Sequence, residues 1–545
     1  MLDFTKYVAT RLRKLFTPQR EPIPGSAQVP NSAGGFAWAV GPWERLDRFL
    51  VLGSEGGSYY ASERTLTVES AAAAAACLAE DGPRVVGRVV EISESGRAPK
   101  NDPALFVLAM AAGSEDDATR AAALDALPRV ARTGTHLFHW MQYVQAFRGW
   151  GRGARRAVAR WYTEKAPREL AYQLLKYPSR DGWAHRDALR LAHPRPASEE
   201  QRALFRRAVK GRAEEPEGEG SGLALVRAAD RLHAEPAPSP AAAAALVREH
   251  RLTREMVPTE LLRSPQVWEA LLEEMPLTAT VRSLAAMTAS GLLAPGSDAA
   301  ARVAARVTDG EALRRARVHP VQILSALTTY AAGRGVRGSL TWEPVAEVVD
   351  ALDAAFYRAF QAVEPAGRRT MLALDVSGSM TSPVHGLPGV SCREGSAAMA
   401  LVTAATEPHT FFTAFTSHGG RNGWASKALS TLAISPRQRL DDVVRAVSEL
   451  PFGGTDCALP MTEALRFGWE VELFVVYTDS ETWAGELHPA QALRQYRERT
   501  GIPAKLVVVG MASNGFSIAD PEDPGMLDVV GFDAAAPRLI AEFGR

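Results

Sequence analysis

Asp375, Ser377 and Ser379 stand at alternate positions in the run Leu372-Ala373-Leu374-Asp375-Val376-Ser377-Gly378-Ser379-Met380. An extended segment or tight loop aims oxygens two residues apart at one point, and a carboxylate with two hydroxyls is a hard donor set suited to Mg²⁺ or Mn²⁺. Two later stretches add to it. Gly453-Gly454-Thr455-Asp456 supplies another hydroxyl, and Phe474-Val475-Val476-Tyr477-Thr478-Asp479 ends a second apolar strand in a carboxylate. The competing reading is that Ser377 and Ser379 only cap a following helix and Asp479 makes a turn. Agreement of three separate segments favours the metal reading.

A second group is cationic. Between Arg148 and Arg212 there are 17 Lys/Arg against 6 Asp/Glu, whereas Leu440 to Arg545 holds 8 against 17, although the whole chain is formally neutral. A basic block remote from the metal motif points to a polyanionic partner, and an acidic C-terminal region would repel one. Arg152, Arg155, Arg156 and Arg160 are near helical spacing, so several guanidinium groups can share a face. Lys176, Arg180 and His185 gather around the turn Asp181-Gly182, with Arg186 beside them. Arginine forks fit phosphate, and interleaved Trp, Tyr and His can stack on unpaired bases. For Trp161 and Tyr162 helix packing is the favoured reading. His193, before Pro194, reads as a helix-terminal cap.

The elements that must position these residues differ along the chain. Residues 1–35 read as a basic arm and a Pro/Gly-rich loop, without the apolar stretch of a secretion signal. Residues 36–365 are patterned as short Ala/Leu/Arg-rich helices, predicted at 66–80, 103–112, 115–131, 135–147, 154–163, 167–177, 199–210, 241–250, 265–274, 277–290, 310–317, 320–332 and 343–363. Tight breaks between them suggest stacked pairs, an α-solenoid curving or closing on itself. The polar stretch 211–222 reads as a solvated loop. Residues 366–545 alternate strands near 370–376, 409–415, 472–478, 504–510 and 528–532 with helices near 394–406, 436–448, 457–467, 489–499 and 534–543. That pattern is a doubly wound α/β domain whose ligand site lies at the carboxyl ends of its strands, where the metal motif falls. Cys77, Cys392 and Cys457 are widely spaced and odd in number, which argues against a zinc site or disulfide framework and fits a reducing cytoplasm. No run approaches the ~18 apolar residues of a membrane span.

The metal motif resembles the metal-ion-dependent adhesion site of von Willebrand factor A domains. That resemblance implies that Asp375, Ser377 and Ser379 hold the ion, with Thr455 and Asp479 completing its shell directly or through water. The whole chain is similar to the Ro autoantigen family, the TROVE-module proteins and their bacterial orthologues. The stretches that carry this likeness are Ser179-Arg180-Asp181-Gly182-Trp183-Ala184-His185-Arg186-Asp187, Pro30-Asn31-Ser32-Ala33-Gly34-Gly35, Tyr59-Tyr60-Ala61-Ser62-Glu63, Met275-Pro276-Leu277-Thr278-Ala279, Gly454-Thr455-Asp456-Cys457-Ala458-Leu459-Pro460-Met461 and Thr478-Asp479-Ser480-Glu481-Thr482-Trp483.

The resemblance implies a ring of HEAT-like helical repeats closed by a von Willebrand factor A-like (Rossmann-like) domain. Small structured Y RNAs would bind its outer basic face, and single-stranded 3′ ends of misfolded or damaged RNA would enter its hole. A 3′-to-5′ exoribonuclease of the polynucleotide phosphorylase type is the implied partner of a monomeric protein. Lys176, Arg180 and His185 are then the leading RNA contacts, followed by Arg155, Arg156 and Arg186. Two departures stand out: Arg282-Ser283-Leu284 where metazoan members usually carry Arg-Asn-Leu, and the acidic 211–222 stretch.

Three functions compete. A non-catalytic RNA-binding scaffold leads. A protein-adhesion module that uses the metal's open position is compatible with it. A metal-dependent phosphodiesterase would want a denser carboxylate cluster and a poised base than this hydroxyl-rich motif offers.

Overall fold

The computed structural model describes residues 16–54, 62–211, 217–316, 318–336, 339–360, 364–384, 390–417, 428–436, 438–450 and 453–545. The basic residues Lys6 to Lys14, the core of the acidic stretch, Arg317, and most of Tyr59-Tyr60-Ala61-Ser62-Glu63 lie outside the described residues.

Helices dominate from Pro42–Leu52 to Ala346–Arg358, and most begin with a local signal. Asp116, Thr133, Ser198, Ser239 and Ser297 each accept a backbone N–H of the following helix. The predicted helix at 66–80 extends to Glu63–Ser95, with a break at Asp81. Gly82-Pro83 reads as a terminator, yet Asp81 Oδ1 accepts Arg84 N–H at 3.0 Å and so starts a second helical segment. Helices at His185–Ala192, Ser221–Leu232 and Asp298–Val307 also escaped the sequence reading.

Each helix packs on near neighbours in the manner of stacked repeats. Asp102–Ala112 lies on Gly134–Phe147, and Asp117–Val130 lies on Arg152–Thr163. The series returns to its start. His319 Nε2 lies 3.0 Å from the Arg97 carbonyl, and Gln322 Nε2 donates to the Pro99 carbonyl at 2.6 Å. The helices therefore form a closed ring.

The α/β lobe holds a six-stranded sheet in the order Met526–Val530, Lys505–Gly510, Leu473–Thr478, Thr370–Asp375, Thr410–Phe415, Leu429–Leu432. All neighbours are parallel except the last pair. The edge strand Leu429–Leu432 was not anticipated, and the predicted 528–532 strand sits two residues earlier. Alternate residues face opposite layers, as strand geometry requires. Leu372, Leu374, Val475 and Tyr477 join the core shared with the helical ring, while Met371, Ala373, Phe474 and Val476 pack under the other layer. Chain order reverses between Thr370–Asp375 and Leu473–Thr478, the topological switch where open α/β sheets form a crevice.

The N-terminal segment does not stand apart. Phe36–Ala39 pairs with Gln28–Pro30 and with Phe516–Ser517 of the α/β lobe. Arg48, only 1% exposed, donates to the Asn514 side chain at 2.9 Å and the Phe516 carbonyl at 2.9 Å. It also forks onto Asp528 at 2.6 and 2.7 Å. Ring closure adds Arg97 on Asp533 at 2.5 Å and Asp353 accepting Leu440 N–H at 2.7 Å. Because a buried guanidinium ties its own helix to two segments of the α/β lobe, Arg48→Met should lower stability by about 3 kcal/mol. Urea unfolding of the full chain measures this, and a loss within experimental scatter would contradict the assigned role.

Candidate functional site

The strand Thr370–Asp375 is buried along its whole length and delivers Asp375 to the switch point. Its register pairs Leu374 with Tyr477, so Asp375 reaches the Thr478 hydroxyl, which donates to Oδ2 at 2.7 Å. Ser377 N–H donates to Asp375 Oδ1 at 2.9 Å, folding the loop so that Ser377 Oγ and Ser379 Oγ lie 3.0 Å apart. Ser379 in turn hydrogen-bonds Asp479. Gly378 N–H donates to the Gly453 carbonyl at 3.2 Å and Trp483 N–H to the Thr455 carbonyl at 3.1 Å, which ties three loops together. Asp375, Ser377, Ser379, Thr455 and Asp479 are all buried.

The electrostatics of this group are unfavourable as it stands. Burial raises the Asp375 carboxyl, offset in part by its Ser377 and Thr478 bonds. Burial, then the adjacent Asp375, hold Asp479 up to about 7. Burial and Asp479 likewise lift Glu481 to about 8. Among the described residues Thr455 Oγ1 is buried with no hydrogen-bond partner, an arrangement that costs about 1–3 kcal/mol. A divalent cation offsets both penalties, since it neutralises paired carboxylates and accepts a hydroxyl as ligand. The donor set therefore fits a hard ion. Among the described residues no point gathers three or more His, Cys, Asp or Glu side chains, so hydroxyls would supply the remaining ligands. A cavity of about 40 Å³ adjoins Ser379 and Asp479, walled by Met380, Met511 and Phe532 and by Leu52 and Gly53 of the helical ring.

The cationic residues divide. Ser179–Arg180 and Trp183–Ala184 form a two-residue hairpin whose turn residues, Asp181 (φ 51°) and Gly182 (φ 79°), both take the left-handed conformation that such a turn requires. Asp181 bonds to His139, and Trp183 Nε1 donates to Gln142, anchoring the hairpin on Gly134–Phe147. Arg180 and Arg186 are exposed, each near one aspartate, at 3.7 and 3.3 Å. Arg155, Arg156 and Arg152 on the helix Arg152–Thr163, and Arg190 on His185–Ala192, are exposed and pair with no acid among the described residues. Sequence reading placed Arg152 on the shared cationic face and gave Arg190 no role. Trp161 and Tyr162 are fully buried.

His185 departs from the expectation of an RNA contact. It is 4% exposed, its Nδ1 lies 2.7 Å from Tyr162 Oη, and its Nε2 lies 3.2 Å from the Gln173 carbonyl. Its ring packs on Phe138 and Trp161. Burial lowers it to about 4, so the neutral ring accepts from the tyrosine and donates to the carbonyl. The cause lies in the helix it opens, where Ala188 and Leu189 turn the same face inward. Lys176 is also mostly buried, with Nζ donating to Tyr172 Oη at 2.7 Å and 3.9 Å from Glu255. The two residues support the hairpin's base, while Arg180, Arg186, Arg155 and Arg156 reach the surface.

Comparison with known proteins gives consistent matches. The family model of the TROVE domain matches residues 29–329, and that of the Ro60 vWA domain matches residues 369–544. An RNA-binding protein RO60 of Deinococcus radiodurans is 42% identical over 543 residues, covering 99% of each chain. An RNA-binding protein RO60 of Caenorhabditis elegans is 38% identical, covering 95% of this chain and 90% of its own. The crystal structure of the Deinococcus radiodurans RO (RSR) protein superposes with a TM-score of 0.69 over 92% of this chain and 99% of that one.

His185→Ala should cost about 2–4 kcal/mol, because it opens a cavity and strands the buried Tyr162 hydroxyl. Arg180→Ala should change stability by less than about 0.5 kcal/mol. Urea denaturation of the two variants tests the division; equal effects would refute it.

Proposed function

The chain belongs to the Ro60 family of TROVE-domain proteins, and on that premise we propose that it is an RNA-binding scaffold with no catalytic step of its own. The observation that carries this reading is the run of exposed arginines Arg152, Arg155, Arg156, Arg180, Arg186 and Arg190, four of them without an acidic partner among the described residues. Guanidinium groups held this way on rigid helices and a pinned hairpin meet phosphates without first breaking ion pairs. Trp150 and Trp183 meet edge to face at 5.5 Å between the arginine helix and the hairpin, joining the two basic surfaces.

Small structured RNAs of the Y class would lie on this outer basic face. Loose 3′ ends of misfolded or damaged RNA would enter the opening of the ring, and a narrow opening would turn away a folded duplex. The closed helical array is what supports selection by shape. Cleavage would come from a partner 3′-to-5′ exoribonuclease of the polynucleotide phosphorylase type, within a cytoplasmic complex containing one copy of this chain. The three buried free thiols suit a reducing compartment, and among the described residues no helix is long and apolar enough to cross a membrane.

A second reading, compatible with the first, concerns the five-residue oxygen site. Asp375, Ser377 and Ser379 would hold Mg²⁺ or Mn²⁺, with Thr455 and Asp479 completing the shell. When bound, the ion would offer an open position to a partner's carboxylate. The protein's part is to hold the two carboxylates side by side and the hydroxyl oxygens turned inward. The hydroxyl-rich donor set favours docking over two-metal hydrolysis, and progressive shortening of labelled RNA by pure protein with Mg²⁺ would reverse that assignment.

Replacing Arg152, Arg155 and Arg156 together by Gln should weaken RNA binding and lower the slope of log affinity against log salt by about 0.7–0.9 per lost phosphate contact. Fluorescence anisotropy across a salt series reads both, and an unchanged slope in the folded triple variant would count against the interface. For the ion, the folded protein keeps a proton on Asp479 that the unfolded chain has released, so cation-free stability falls as pH rises from about 4 through about 7. The gain in melting temperature from Mg²⁺ over EDTA should therefore grow across that window. A gain independent of pH would exclude Asp479 from the shell.

A further inference from the structure

We propose that the N-terminal segment from Thr17 to Ala39 is a working part of the cation site, with Gln19 its positioning residue. Gln19 is fully buried. Its amide nitrogen donates to Asp456 Oδ1 at 2.7 Å and the Leu487 carbonyl at 2.8 Å. Its amide oxygen accepts from Thr482 Oγ1 at 2.6 Å and Gly485 N–H at 3.0 Å. The backbone is held as firmly, with Gln19 N–H on the Gly485 carbonyl and Phe36 N–H on the Gln19 carbonyl, at 2.9 and 2.8 Å. Asp456 follows Thr455, and Thr482 and Gly485 lie on the loop that leaves Asp479. One side chain thus fastens the two loops that bring the late ligands to the site.

Other contacts of the segment fall on the same loops. Asn31 Nδ2 donates to the Thr482 carbonyl at 2.7 Å, and Ala33 N–H donates to Glu481 Oε2 at 3.0 Å. Thr482 Oγ1 also accepts Cys457 N–H at 3.1 Å, closing the link from loop to loop. Glycines mark the closest approaches. A Cβ on Gly35 would strike the Thr482 carbonyl, and one on Gly485 would strike Asp456 Oδ1 and the Gln19 amide. Gly485 has no left-handed backbone, so that crowding alone excludes a side chain. The stretches Pro30-Asn31-Ser32-Ala33-Gly34-Gly35 and Thr478-Asp479-Ser480-Glu481-Thr482-Trp483 are therefore two sides of one contact. Gln19 falls outside both matched family regions, 29–329 and 369–544.

Groups that orient ligands without touching the ion set its affinity, and binding that requires the loops in place must also favour the docked segment. This inference rests on the cation reading of the oxygen site. The test is titration calorimetry of the EDTA-stripped full chain with Mn²⁺ alone, beside its melting temperature in EDTA. Gln19→Ala should weaken Mn²⁺ by about tenfold or more. Thr482→Val and Gly485→Ala should weaken it in the same direction, and the Gln19→Ala/Thr482→Val pair should lose less than the product of the single effects. Mn²⁺ should also slow amide exchange within residues 17–39. A merely structural segment would give lower melting temperatures with unchanged Mn²⁺ affinity, and that result overturns the proposal. Should Gln19→Ala fail to fold, unchanged affinity in both other variants overturns it equally. Absence of Mn²⁺ binding by the unaltered chain would instead refute the cation reading, and this inference with it.

Discussion

Two carboxylates, Asp375 and Asp479, sit in the interior at the ends of neighbouring parallel strands, and the surrounding loops are organised around their repulsion. The strand register brings them together, and burial removes the water that would screen them. Hydroxyls from Ser377, Ser379 and Thr478 soften the charge without cancelling it. The charge of Arg393 favours the ionised Asp375, while its guanidinium donates to the Val376 and Leu450 carbonyls. The pair is consequently left with carboxyl groups raised by burial and, at Asp479, by its neighbour's charge. The site's acidity profile, its orphaned Thr455 hydroxyl and its dense loop-to-loop bonding are three expressions of that one constraint.

The same constraint reaches into the helical ring. Asn514 receives Arg48 from the first described helix and donates its own amide to the Asp479 carbonyl. Arg97, next to the point where the ring closes, grips Asp533 beyond the last strand. The ring and the α/β lobe therefore share a core and a set of buried polar bonds. The exposed arginines lie on Arg152–Thr163, the hairpin at 179–184 and His185–Ala192, so the basic surface and the oxygen site belong to different elements of the chain. Were the two merged, the arginines would compete for the carboxylates.

Much of this was legible in the residues. Alternation of Asp375, Ser377 and Ser379 after an apolar strand, with Asp479 ending another, located the oxygen site, because sheet topology leaves few places for strand-end carboxylates to go. Most helices were readable from apolar spacing and Pro/Gly breaks. Glu63–Ser95 was cut short because Pro83 terminates a helix in isolation but begins one after a capping aspartate. Leu429–Leu432 was missed because a four-residue edge strand carries little periodicity. His185 was misplaced for a deeper reason. A histidine beside arginines reads as a surface contact, and only the ring packing of Phe138, Trp161 and Tyr162 reveals that it belongs to the interior. Gln19 was invisible, since nothing local distinguishes a buried amide with distant partners.

The docking of Phe36–Ala39 against Phe516–Ser517 has a consequence for biosynthesis. Gln19 and Asp456 are 437 positions apart, with the whole helical ring between them. The ring's contacts are mostly local and can form while translation is under way, whereas the early segment must wait for partners in a lobe that has not yet left the ribosome. The loops around the oxygen pocket therefore gain their contacts with Gln19 only after the α/β lobe has been made, later than the exposed arginines gain their helices.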